Sequence, residues 1–264
     1  MTFEHLHLTE DGPVIWAKLN RPDALNTLNA KLIDELLTFF GDLQFQREKR
    51  IVVLHGEGRA FCAGLDLTIA SEIAEGGAGR SIHEQRRISE IVMRMRRCPQ
   101  PILALMNGPA SGAGFALALA SDIRIATTKA RMNASFIRLG LGGCDIGVSY
   151  FLPRMVGSSV AAELMMTGRF LTPERALALG LVSAVVEPEA LLDEGRAMLA
   201  DLLYASPLGL RLTKEALGHA IDAGDLAAVV AMEDRNQVLC VQSDAFKEGV
   251  AAFIEKRAPN YGPD

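Results

Sequence analysis

The chain has 264 residues, 49% hydrophobic, 22% charged and 6% aromatic, which excludes disorder, collagen-like repeats and a disulfide-dense mini-protein. Lys+Arg 27 against Asp+Glu 32 leaves a net charge of −5, so no general basic field collects nucleic acid or an anionic membrane surface. Cys62, Cys98, Cys144 and Cys240 form no CxxC pair and no zinc pattern, and such sparse thiols fit a reducing cytosol. MTFEHLHLTEDG at the start lacks the charged-then-apolar order of a secretory signal. The stretch 101–120 is the most apolar, but Asn107, Gly108, Pro109 and Gly112 interrupt it, so it does not read as a membrane span. The expectation is a soluble cytoplasmic protein with neither nucleic-acid nor membrane partners.

In chain order, Phe3–Leu8 and Val14–Leu19 read as strands around the turn Asp11-Gly12-Pro13. Leu32, Ile33, Leu36, Leu37 and Phe40 recur at helical spacing after a start near Leu28–Asn29. Ile51–Leu54, Ile102–Met106 and Ile123–Ala126 are short buried-strand runs. From Ser158 the character changes, with helical periodicity over 158–167, 173–179, 190–204, 207–222 and 225–240 and one strand-like run, Leu181–Val186. Strands come first and helices dominate last, which predicts an α/β class with a helical C-terminal part.

A weak internal echo stands out. Val52-Val53-Leu54-His55-Gly56 leads to a loop ending Ala63-Gly64, and Ile102 to Gly108 leads to one ending Gly112-Ala113-Gly114. Each reads as a buried strand, a Gly turn and small residues where a helix should start. Such an ending leaves backbone N–H groups unpaired with a helix dipole behind them. Two such endings side by side could hold one oxygen anion between two amides, and small residues permit the close approach.

Common catalytic signatures fail. Gly112-Ala113-Gly114 starts like a dinucleotide fingerprint, but Leu117 stands where the third Gly belongs, and there is neither a Walker Lys-Ser/Thr nor a GxSxG elbow. The histidines at 5, 7, 55, 83 and 219 share no ligand spacing. Cys62 reads as a small apolar filler. Arg86, Arg87, Arg94, Arg96 and Arg97 read as a solvated helix face closing ahead of Pro99.

Four motifs then strongly resemble the enoyl-CoA hydratase/isomerase (crotonase) superfamily. They are Leu19-Asn20-Arg21-Pro22-Asp23-Ala24-Leu25-Asn26, Gly58 to Leu67 (GRAFCAGLDL), Asn107-Gly108-Pro109-Ala110-Ser111-Gly112-Ala113-Gly114, and Glu248 to Arg257 (EGVAAFIEKR). They run over nearly the whole chain in the family's order and spacing. The resemblance implies a ββα spiral core with the acyl-CoA site over 1–200 and a helical oligomerisation region over 201–264, forming a homotrimer or dimer of trimers. It implies acyl-CoA thioester substrates, a stabilised thioester enolate, and no cofactor beyond the CoA moiety of the substrate. By motif position the two oxyanion-hole amides fall on Leu65 and Ala113, with Ala63 and Gly112 beside them. Asp23, Ala24 and Leu25 would line pantetheine and ribose, and the backbone around Leu65, Asp66 and Leu67 the adenine. Phe253 and Lys256, from a neighbouring subunit, would meet the adenine and phosphate end. Asp66 also suits a helix N-cap, and Lys256 a solvated terminal charge.

The sequence departs from the family at the acids. Hydratases of this family place glutamates at positions that match Ala116 and Phe136 here, and neither residue can move a proton. Asp145, in a glycine-rich stretch from Leu139 to Tyr150, matches the single catalytic acid of some Δ3,Δ2-enoyl-CoA isomerases. It also matches one acid of the dienoyl-CoA isomerases, whose further acids would fall on Ala116 and Ile137, and the nucleophile of 4-chlorobenzoyl-CoA dehalogenase, which relies on a nearby tryptophan. The sole Trp here is Trp16. One carboxylate can take the C2 proton, wait beside the dienolate and return the proton to C4. Phe115, Phe136, Leu141 and Ile146 would shape the acyl pocket. Asp145 as the N-cap of a helix starting near Ile146 is the structural alternative. The expected activity is double-bond isomerisation with Asp145 as acid/base; the alternatives are hydration using Asp145 and an ordered water, and a non-catalytic acyl-CoA-binding homologue.

Overall fold

The computed structural model describes residues 3–262; Met1, Thr2, Pro263 and Asp264, the outer ends of the two expected regions, lie outside them. The strands are β1 (Leu6–Asp11), β2 (Val14–Leu19), β3 (Ile51–Gly56), β4 (Ile102–Met106), β5 (Ala110–Ser111), β6 (Ile123–Thr127), β7 (Met132–Asn133) and β8 (Ala184–Val186). Six of them form one sheet in the order β1-β2-β3-β4-β6-β8, and β5 pairs with β7 apart from it. The β1–β2 pair is antiparallel, and every other neighbouring pair in the sheet is parallel.

Val14–Leu19 and Ile102–Met106 form the expected strands, whereas the first strand begins at Leu6 rather than Phe3. The Glu35 carboxylate takes the N–H groups of Glu4, His5 and Leu6 at 2.7, 2.9 and 2.9 Å, ahead of the strand. Beyond Leu6, β1 is an exposed edge, so pairing with β2 sets its register and apolar alternation does not. Ile51–Leu54 extends to Gly56, Ile123–Ala126 extends to Thr127, and the last strand covers only Ala184–Val186 of Leu181–Val186.

The described residues form eleven α-helices beside the sheet: α1 (Ala30–Asp42), α2 (Leu67–Glu75), α3 (Gly77–Arg97), α4 (Ala113–Ala120), α5 (Val148–Val156), α6 (Ser158–Thr167), α7 (Pro173–Ala178), α8 (Leu191–Tyr204), α9 (Pro207–Ala220), α10 (Leu226–Val241) and α11 (Asp244–Glu255). α1 starts where the Asn29 side chain accepts from Leu32 N–H at 2.8 Å, an N-cap that satisfies an otherwise orphan amide. Strand residues alternate between two cores. Ile15, Ala17, Val52, Leu54, Ile102 and Ala104 face a large cluster shared with α1, α3 and α4. Val14, Ile51, Val53, Leu103, Leu105 and Ile125 face a smaller one closed by Leu191 and Leu199 of α8. Residue 200 lies inside α8.

The arginine face of α3 is not simply solvated, a correction to the sequence reading. Arg94 donates to Leu37 O at 2.6 Å, Arg96 pairs with Asp122 at 2.7 Å, and Arg87 pairs with Asp34. These long side chains lie along apolar surface and reach neighbouring elements with their heads.

Past α8 the packing thins. α10 buries no residue, and α11 buries only Ala252. α9 is tied down by Lys214, whose buried ammonium pairs with Asp122 at 2.9 Å and donates to Gln100 O at 2.8 Å and Met95 O at 3.1 Å. A buried ammonium is tolerated only with this much compensation. Large apolar side chains stay exposed on these helices, among them Leu226 at 77%, Ile254 at 72% and Phe253 at 82%. No helix among the described residues is long and apolar enough to cross a membrane.

Candidate active site

The two echoing segments leave from adjacent parallel strands, since Val52 to His55 pair with Ile102 to Leu105 in register. Their loops then meet backbone to backbone. Cys62 N donates to Pro109 O at 3.2 Å, and Ser111 N donates to Cys62 O at 3.0 Å. Two buried asparagines fix the approach from outside. Asn26 Nδ2 donates to Glu57 O and Ala60 O at 2.9 and 2.8 Å, and Asn133 Oδ1 accepts from Ser111 Oγ at 2.7 Å. Gly112 has φ 52 and ψ −118, a region glycine enters without strain, and this turn launches α4. A β-carbon at Gly114 would stand 2.0 Å from Cys62 O, so only glycine permits the contact.

The two amides of interest become free for different reasons. The Ala113 N–H opens α4, in which the first intrahelical bond is Ala116 N to Gly112 O at 3.0 Å. All eight residues of that helix are buried, so its positive end acts in a dry setting. Leu65 is not at a helix start, contrary to the sequence expectation, because α2 begins two residues later. A parallel bridge frees it instead. Leu28 N donates to Gly64 O and Asp66 N donates to Leu28 O, at 2.8 and 3.0 Å, so the Leu65 N–H turns away from Leu28. Neither amide donates to an acceptor among the described residues. A β-carbon on Gly64 would lie 3.7 Å from Ala113 N, so the two loop ends adjoin. Adjacent free amides of this kind can stabilise an oxyanion, each contributing about 3–4 kcal/mol in enzymes where one has been removed.

Asp145 is half-buried on the loop before α5. Burial pushes its carboxyl pKa up, and hydrogen bonds from Ile146 N–H and Gln85 pull the other way. Ile146 N–H reaches Asp145 Oδ1 at 2.8 Å, and Gln85 Nε2 of α3 reaches the same oxygen at 2.5 Å. The Asp145 side chain does not cap α5, a correction to the structural alternative: the N-cap is Gly147, with no side-chain cap bond. Ile146 has φ 46, and a β-branched residue there stores about 1–3 kcal/mol of strain.

Ala116 and Phe136 are both buried, and neither carries a proton. A β-carbon at Gly112 would touch the Phe136 ring at 3.5 Å, which puts that ring at the second loop. Leu141 N donates to Phe136 O at 3.2 Å while its side chain is 57% exposed. Phe115 and Ile146 are core residues.

Asp23 and Ala24 form a 3-10 turn, and Leu25 O accepts from Ala63 N at 3.0 Å, which joins that turn to the first loop. Asp66 does cap α2, accepting from Thr68 Oγ1 at 2.7 Å and Thr68 N at 3.2 Å, and it also pairs with Arg21 at 3.1 Å. These partners, the Thr68 hydroxyl foremost, hold its carboxyl pKa below the usual range. Leu67, the first residue of α2, is exposed.

Phe253 and Lys256 stand elsewhere. Phe253 lines a cavity of about 300 Å³ with Ser206, Cys240, Phe246, Val250 and others, none of them from the two loops. Lys256 closes α11 in a left-handed conformation. Burial pushes the Cys62 thiol pKa up to about 12 and the His55 pKa down to about 4, so neither is a poised nucleophile or acid. No group of three or more His, Cys, Asp or Glu among the described residues is placed to hold a metal ion.

Nothing in the sequence marks Gln85, Asn133 or Thr68, which donates to the Asp66 cap. Asn26 ends the first motif, and its sequence position alone does not reveal its clamp on the 57–60 loop.

The family model for enoyl-CoA hydratase/isomerase matches residues 9–263. A probable enoyl-CoA hydratase of Mycobacterium leprae is 37% identical over 90% of this chain and 83% of its own. The 1,2-epoxyphenylacetyl-CoA isomerase of Escherichia coli is 34% identical over 94% of each chain. A solved structure of a putative enoyl-CoA hydratase from Streptomyces coelicolor superposes with a TM-score of 0.94 at 34% identity, covering 100% of this chain and 96% of that one.

Proposed function

This chain belongs to the enoyl-CoA hydratase/isomerase family, and from that premise we propose that it is an acyl-CoA enzyme that moves a carbon–carbon double bond by proton transfer through Asp145. The observation that carries the reading is a half-buried carboxylate with one uncommitted oxygen, in a chain whose residues matching the family's two other acid positions are Ala116 and Phe136. The thioester oxygen lies between the N–H groups of Leu65 and Ala113. Asp145 takes a proton from C2 of a 3-enoyl-CoA, the dienolate charge rests on that oxygen, and the same proton returns to C4, leaving the 2-enoyl-CoA. Atoms balance with no further reactant, so no cofactor is needed beyond the CoA of the substrate. A carboxylate whose pKa is raised is better matched to both proton steps.

Asp23, Ala24, Leu25 and the 63–67 backbone would carry the CoA. The exposed apolar side chains of α9 to α11 support a homotrimer or dimer of trimers, in which 201–264 forms the interface and Phe253 and Lys256 serve a neighbour's site. Four free cysteines agree with a cytoplasmic setting.

A second reading, hydration with Asp145 and an ordered water, draws support from relatives that include a probable enoyl-CoA hydratase and a short-chain-enoyl-CoA hydratase. Assaying the purified protein with crotonyl-CoA and with a 3-enoyl-CoA separates the two. Faster turnover of the 3-enoyl-CoA is the expected result, and faster turnover of crotonyl-CoA would replace isomerisation by hydration.

A further inference from the structure

Asp145 has two oxygens, and they are not equivalent. Oδ1 accepts from Gln85 Nε2 at 2.5 Å and from Ile146 N–H at 2.8 Å, while Oδ2 has no hydrogen-bond partner among the described residues. A carboxylate oxygen offers two lone-pair sites in its plane. With both filled by donors, Oδ1 has no room for a proton.

We propose that Gln85 is the positioning residue of Asp145: with the Ile146 N–H it claims Oδ1, and so assigns proton exchange with substrate to Oδ2 alone. The inference rests on the reading of Asp145 as the acid/base. Its physical sense lies in what happens when the proton arrives. Protonation of Oδ2 leaves Oδ1 as a carbonyl oxygen, which still accepts both donors. Base and acid forms therefore share one geometry, and no rotation intervenes between removing a proton at C2 and returning it at C4. A carboxylate free to spin would lose that registry.

The donors come from places that differ in stiffness. Ile146 N–H is presented by a residue held at positive φ. Gln85 projects from α3, whose Ile88, Ile91, Val92 and Met95 are buried in the core. Charged groups on the surrounding elements are occupied elsewhere. On α3, Glu84 pairs with Arg87 at 2.5 Å, Arg87 also reaches Asp34, Glu90 takes Arg94 at 3.2 Å, and His83 and Arg86 are exposed. On α5, Tyr150 and Arg154 both bond to Asp222, and Cys144 on the Asp145 loop is exposed. Burial raises the Asp145 carboxyl pKa, and the bonds from Ile146 N–H and Gln85 oppose it.

The test combines Gln85→Leu and Asp145→Asn with two readouts in the full-length enzyme. The first is a carboxyl-carbon NMR titration of Asp145; the second is the pH profile of 3-enoyl-CoA turnover. Losing a donor to the ionised form raises the Asp145 midpoint, so Gln85→Leu should shift both the midpoint and the acidic limb upward by about one pH unit. It should also lower plateau kcat about tenfold, with KM within about twofold, since geometry and not binding is lost. Gln85→Asn keeps polarity but is one methylene too short, and serves if the leucine variant folds poorly. A midpoint and limb that match the unaltered enzyme in these variants overturn the role of Gln85, while an inactive Asp145→Asn leaves the acid/base reading intact. Full turnover by Asp145→Asn overturns that reading and this inference with it.

Discussion

Asp145→Asn is expected to lower turnover of a 3-enoyl-CoA by about 10²–10⁴-fold, the usual contribution of a positioned acid/base, while acyl-CoA affinity stays within about threefold. The substitution is narrow by design. The amide oxygen of asparagine can still accept from Ile146 N–H and Gln85 Nε2, the bonds that Asp145 Oδ1 makes at 2.8 and 2.5 Å. Loop geometry and burial are therefore kept and only proton exchange is removed. A loss confined to kcat marks an interaction made in the transition state. Burial holds the Asp145 pKa above the ordinary carboxylate range, and the base form is the one that opens the reaction. Activity should thus fall as pH drops through that raised value. Steady-state kinetics with isothermal titration of a saturated acyl-CoA checks both parts. Unchanged turnover at unchanged affinity would point to another acid, and absent turnover in both forms with intact acyl-CoA binding would point to a binding protein.

Gly114→Ala is the second large effect, acting through the backbone. The added methyl would stand 2.0 Å from Cys62 O, 2.7 Å from Cys62 C and 2.8 Å from Cys62 Cβ. Two of the three contacts are with main chain, so no rotamer relieves them. The 62–65 loop and the start of α4 must part by more than about 1 Å to reach ordinary contact distance, and a displacement of about 1 Å already costs about 10²-fold in rate. Overpacking adds a stability loss of about 1–3 kcal/mol. We expect kcat/KM to fall at least about 100-fold with a lowered Tm. The control is Gly79→Ala on α3, where nothing lies within 4 Å; a helical Gly→Ala there should leave activity unchanged and stability equal or higher. Equal behaviour of the two variants would mean that the approach of the loops is not what supports catalysis.

The parts of the fold legible in the sequence are those where one force dominated. Val14–Leu19 and Ile102–Met106 are buried strands with apolar runs long enough to bound, and 158–167 is a helix closed by glycines on both sides. β1 was misplaced because only Leu6 of its six residues is buried, which leaves no pattern to read. The candidate site was half legible. Small residues after buried strands pointed to Leu65 and Ala113, yet the cause at Leu65 is a long-range bridge to Leu28 and not a helix start. Asp145 was legible as an acid in apolar surroundings, but its partner Gln85 lies 60 residues earlier on a helix surface where nothing local distinguishes it. The arginines of α3 looked solvated because periodicity reports which face a residue occupies and is silent about where a long side chain ends.

In the proposed reaction two main-chain donors grip a thioester oxygen while a single acid reaches both proton positions. A crystal structure with a bound, non-reacting acyl-CoA analogue tests it most directly. The thioester oxygen is expected at about 3 Å from both Leu65 N and Ala113 N, with Asp145 Oδ2 within about 4 Å of C2 and C4 and closer than Oδ1. An acyl chain directed away from Asp145, or a thioester oxygen bound by other groups, would contradict it.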